Sequence, residues 1–79
     1  MNTKVNQAIL KYELNNTIKN SVRQIDFFES SVTCYSNLLN ATSPSDKDFQ
    51  YLNERLKYAE QNLKKAKKDL EDLLKIREE

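Results

Sequence analysis

The chain has no glycine, no histidine and no tryptophan, and only one proline and one cysteine among its 79 residues. Without glycine there is no phosphate-cradling loop and no strained nucleophile turn, since both need backbone that a Cβ would block. With no histidine, and with Cys34 as the single cysteine, the usual zinc and copper ligand sets are missing and no internal disulfide can form. No apolar run is long enough to span a bilayer, and the opening stretch MNTKVNQAILKYELNN is too polar for a signal peptide. These absences predict a cytoplasmic protein that has no metal or cofactor, acts on no small-molecule substrate and makes no membrane contact. On that reading the Asn15-Asn16-Thr17 and Asn40-Ala41-Thr42 sequons are chance matches in an Asn-rich chain.

A strong charge of either sign is also missing: 13 basic residues against 12 acidic ones leave a formal net charge of +1. That balance provides neither a polybasic coat nor an acidic imitation of nucleic acid. A 79-residue chain is one domain at most, and it struggles to bury enough apolar surface to fold alone. Its stability must therefore come from helix packing or association. An Asn- and Lys-rich, glycine-free composition also fits an AT-rich genome or a mobile element such as a phage.

What is present is periodic. Phe49, Leu52, Leu56, Ala59, Leu63, Ala66, Leu70 and Leu73 recur at intervals of three and four, the heptad period of packed helices, with Phe49 at position a and Leu52 at d. Upstream, Leu14, Ile18, Val22, Ile25, Phe28, Val32, Tyr35 and Leu39 form a similar but less regular stripe. Leu14 to Thr17 is the weak point of this stripe, because asparagine and threonine are poor interior helix residues. Val5, Ile9 and Tyr12 nevertheless continue the apolar period behind it and predict one long helix.

The two stripes match each other when the second runs back along the first. Leu39 then faces Phe49, Val32 faces Leu56, Phe28 faces Ala59, Ile25 faces Leu63, Val22 faces Ala66 and Ile18 faces Leu70, and the paired residue numbers total 87 or 88 throughout. The bulky Phe28 against the small Ala59 is the interdigitation that a packed seam requires. The expected fold is therefore all-α, a single-domain antiparallel helical hairpin with a coiled-coil-like seam. Helix 1 is expected over about 4–39, a turn over 40–43 and helix 2 over about 44–77, with the hairpin dimerising into a four-helix bundle. Ser43 followed by Pro44 and Asp46 reads as a helix start, and Ser45 with Asp48 offers a second start two residues later.

Phe27, Cys34, Leu38, Tyr51 and Tyr58 fall outside the seam, the first two and both tyrosines at c and Leu38 at g. In an antiparallel pair these positions share one lateral face, in the half nearest the turn. Such a face either widens the intramolecular stripe or joins the hairpin to a second copy or a larger protein. Association is the preferred reading, with a symmetric four-helix dimer its simplest form. Cys34 reads as a small packed hydrophobe, since no cation adjoins it to stabilise a thiolate.

The most conspicuous charge run is KKAKK, Lys64 to Lys68. Lys64, Lys65, Lys67 and Lys68 could track phosphates, as a helical face does in the RNA-binding four-helix dimers of the plasmid Rop type. The likeness is one of architecture, with no shared motif. Against it, Glu60 precedes Lys64 by four residues, and Asp69, Glu71 and Asp72 follow Lys65, Lys67 and Lys68 by four. That is the spacing of ordinary helix ion pairs. A non-enzymatic protein–protein interaction module is the expected function, with a chaperone, adaptor or inhibitor as roles it would fit. An RNA- or DNA-binding regulator is the alternative.

Overall fold

In the computed structural model, which describes residues 3–78, the chain forms two helices, α1 (Thr3–Asn40) and α2 (Lys47–Glu78), packed against each other as a hairpin. The hairpin is a rod of 66 × 15 × 14 Å. Helix α1 runs unbroken through the Asn15-Asn16-Thr17 weak point. There the Thr17 hydroxyl donates to the Glu13 carbonyl at 3.0 Å, one turn back. This back-bond occupies the hydroxyl without displacing the helix ladder.

The connection covers residues 41–46, longer and later than the expected 40–43. Helix α1 ends on local bonds in place of a left-handed residue, since no described residue has positive φ. The Ala41 N–H donates to the carbonyls of Asn37 and Leu38, both at 3.2 Å, and the Thr42 N–H donates to Leu39 at 3.1 Å. The Thr42 hydroxyl reaches the Leu38 carbonyl at 2.6 Å. Carbonyls left over at a helix end are thereby satisfied without glycine.

The start of α2 also differs from both expected caps. Ser43 to Asp46 form a β-turn closed by the Asp46 N–H on the Ser43 carbonyl at 2.9 Å, with Pro44 at the second position, where its fixed φ suits such a turn. Asp46 is the cap: its carboxylate accepts from the Asp48 N–H at 3.0 Å, and Lys47 is the first helical residue. Asp48 in the first turn, with Lys75 and Arg77 in the last, complements the helix dipole at both ends. Proline is accommodated in the turn, so helix 2 begins three residues later than 44.

The inward side of each helix follows the expected stripe with one correction. Ser21 is buried at 8% exposure, whereas Val22 stands 42% exposed. Ser21, not Val22, is the inward residue of this turn of α1. The inward positions of α1 are then 14, 18, 21, 25, 28, 32, 35 and 39, a strict alternation of four and three that mirrors α2. A serine in the stripe of α1 and alanines at 59 and 66 in that of α2 keep apolar burial small. No side chain among the described residues is fully buried, and the deepest apolar ones are Ile18, Ala59 and Ala66. Val5, Ile9 and Leu10, near the start of α1, are exposed.

Size quantifies how open this arrangement is. A compact globular protein of 9.3 kDa would expose about 5,000 Å², while this chain exposes 6537 Å². Its radius of gyration is 18.5 Å, against about 12 Å for a compact domain of this length. The excess, on the order of 1,500 Å² by the same scaling, is surface that a globular fold would have covered.

Candidate association face

Position c on each helix turns to the same side of the seam, and the heptads place Phe27 on α1 beside Tyr58 on α2. The two flank one hollow with Phe28, Tyr35 and Ala59. Phe27 is 65% exposed and Tyr58 58% exposed, and Tyr51 and Leu38 are exposed as well. All four are exposed at the flank of the seam. Phe27 meets Phe28 edge to face, with ring centroids 5.4 Å apart at 72°, so the outer ring rests against the inner one. Side chains restrained in this way lose less freedom when a partner covers them.

Cys34 departs from its expected role: it is an exposed free thiol, not a packed hydrophobe. It lines a shallow hollow on the outer side of α1 with Asp26, Glu29, Ser30 and Thr33. Position c on α1 is only one step from the solvent-facing f position, and nothing from α2 reaches over the small thiol there. Of the expected face, Phe27 and Tyr58 border one hollow, and Cys34 borders another.

Arg55 is a member of the face that the hydropathy pattern passes over. It lies at g on α2, its Nε donates to the Tyr35 hydroxyl at 3.4 Å, and its guanidinium stands 5.5 Å from the Tyr58 ring centroid and 5.9 Å from that of Tyr35. The hydrogen bond to Tyr35 is the main influence holding the Arg55 pKa above its usual value. Among the described residues no carboxylate lies within ion-pair distance of Arg55. A readable signal existed in its spacing, since Arg55 falls four residues after Tyr51 and three before Tyr58. That is the distance at which side chains on one helix face meet.

Beside this aromatic cluster, farther from the turn, lies an open groove of about 400 Å³ bordered by Gln24, Phe27, Phe28, Asn62, Ala66 and Asp69, with Arg23 and Lys65 at its rim. Its floor is low at Ala66, which contributes only a methyl group.

The lysine run does not converge. Lys67 turns to the opposite edge of the hairpin and pairs across the seam with Glu29 at 3.8 Å. Lys65 borders the groove, and Lys64 sits with Lys57, Glu60 and Gln61 on the outer side of α2. None of the four expected i,i+4 pairs closes among the described residues; Glu71 instead bonds Lys75 at 3.4 Å. Exposed lysines are long and well hydrated, and holding them in such pairs gains little. Among the described residues no helix is long and apolar enough to cross a membrane, and no cluster of three or more carboxylate or thiol side chains is arranged to hold a metal ion. Compared with protein-family models, with curated proteins and with solved structures, the chain matches none.

Proposed function

We propose that the chain is a non-enzymatic protein–protein interaction module that works as a homodimeric helical hairpin, two copies forming a four-helix bundle through the lateral face of Phe27, Leu38, Tyr51 and Tyr58. The observation that carries this reading is the exposed aromatic pair Phe27 and Tyr58 on a hairpin with no fully buried side chain among the described residues. Tyrosine, phenylalanine and arginine are the residue types enriched where protein partners meet. A hairpin with so thin a core gains most by covering that side. The same face would serve a chaperone, adaptor or inhibitor that docks on a larger protein.

Nucleic-acid binding has less support. Binding along a phosphate backbone gains from several cations on one track, whereas Lys65 and Lys67 lie on opposite edges of the hairpin.

Light scattering over a concentration series, with helicity followed by circular dichroism, tests the proposal. The expected result is a helical dimer that Phe27→Glu combined with Tyr51→Glu shifts toward monomer. A well-folded monomer at every concentration would remove the homodimer. A dimer untouched by the double substitution would place the interface elsewhere.

A further inference from the structure

The aromatic cluster and the groove lie next to each other on the same face, one projecting and one recessed. Tyr58 projects four residues before Asn62, and Ala66, the floor of the groove, lies four residues after it. A two-fold axis crossing the face at the level of Asn62 would therefore seat the Tyr58 of each copy over the Ala66 of the other.

Charge marks the same centre independently. Arg55 lies seven residues before Asn62 and Asp69 seven residues after it. Neither has an ion-pair partner within its own hairpin among the described residues. At 1.5 Å per residue, both stand about 10 Å from the level of Asn62, on opposite sides. A partner running antiparallel would thus bring each guanidinium to an unpaired carboxylate, and an isologous contact forms two such pairs at once.

We infer that the hairpin dimerises with α2 antiparallel to α2 of a second copy about a two-fold axis at Asn62, Tyr58 of each copy filling the groove over Ala66 of the other and Arg55 of each facing Asp69 of the other. This rests on the homodimer proposed above and specifies its register. In this arrangement the axis also passes close to Phe27, because Phe27 lies at the level of Tyr58 to Asn62 across the seam. The most exposed aromatic of the face then meets its own copy at the centre of the contact, where binding energy concentrates. A parallel arrangement would place Arg55 beside Arg55 and Tyr58 beside Tyr58, leaving both grooves empty. The net charge of +1 sets no general repulsion against either arrangement, so local complementarity decides.

Charge exchange on the full chain tests the register. Arg55→Asp alone and Asp69→Arg alone each place like charges opposite one another. Each is expected to raise the dimer dissociation constant at least about tenfold in sedimentation equilibrium. The double variant Arg55→Asp/Asp69→Arg restores opposite charges at both contacts and is expected to return within about threefold of the parent chain. Recovery of dimerisation in the double variant separates pairing from loss of the Tyr35 hydrogen bond, which the double variant still lacks. As a second measurement, Asn62→Cys in a Cys34→Ser background is expected to cross-link to itself on mild oxidation. Asn53→Cys, on the opposite edge of α2, is expected to stay uncoupled. A parent chain that dimerises while both single charge variants bind as tightly would overturn the register and leave the homodimer standing. Cross-linking through position 53 in preference to 62 would do the same. A parent chain that stays monomeric would overturn both.

Discussion

Ser21 and Val22 offer the sharpest test of the packing, because the apolar residue of the two is the exposed one. Val22→Ala removes two carbons from a side chain that is 42% exposed. At about 0.8 kcal/mol per fully buried carbon, a little over half of about 1.6 kcal/mol is lost, near 0.9 kcal/mol. Alanine's higher helix propensity returns about 0.5 kcal/mol, so the net cost is about 0.4 kcal/mol. Ile18→Ala, one turn earlier at 8% exposure, lies in the range of about 2–5 kcal/mol for core truncations. With about 4–8 °C of melting temperature per kcal/mol in a domain of this size, Val22→Ala is expected to shift the midpoint by only about 2–3 °C, and Ile18→Ala by about 10 °C or more. Thermal and urea unfolding followed by circular dichroism reads both, at one fixed protein concentration because association couples to stability. Equal losses for the two variants would refute the register and return Val22 to the seam.

Three further outcomes follow from the same geometry. Ser21→Ala trades a nearly buried serine for a better helix former and is expected to stabilise the hairpin by about 0.5 kcal/mol in the same unfolding assay; destabilisation would mean that the Ser21 hydroxyl has a structural role. Asp46→Ala removes the cap of α2 and is expected to cost about 1 kcal/mol, while Ser45→Ala costs less than half of that, and a reversed order would put the helix start back at the serines. In titrations against mixed RNA and DNA at low salt, the parent chain is expected to show no more salt-sensitive binding than a variant with Lys64, Lys65, Lys67 and Lys68 changed to Gln, and a clear difference would revive the regulator reading.

The hairpin itself was legible in the residues, because eight apolar positions of α2 keep a strict three-and-four spacing and their partners in α1 return the same register. The slip at Ser21 shows how far that reading reaches. A hydropathy pattern moves to the neighbouring valine, whereas strict alternation points to the serine. The helix boundaries at the turn were less legible, since Ser43, Ser45 and Asp46 all have side chains able to cap and sequence spacing does not rank them. The chain's own turn geometry selects Asp46 by committing Ser43 and Pro44 to a β-turn.

The candidate face divides in the same way. Phe27 and Tyr58 were placed on one side by heptad position alone, because helix periodicity sets the direction of a side chain. Cys34 shares that position but lies open on the outer side of α1, because a side chain that short does not reach across to α2. Arg55 gains its place only when two helices meet: Tyr58 is its neighbour in sequence, but Tyr35 comes from the other helix, 20 positions away. The sequence by itself determined two helices, their pairing and an absence of catalytic groups of the histidine and glycine-loop kinds, since composition and period act locally and repeat along the chain. Only the tertiary structure decided that Ser21 lies inward, that a groove opens over Ala66 and that Arg55 stands among tyrosines, because each depends on which side chains the opposite helix presents at that level.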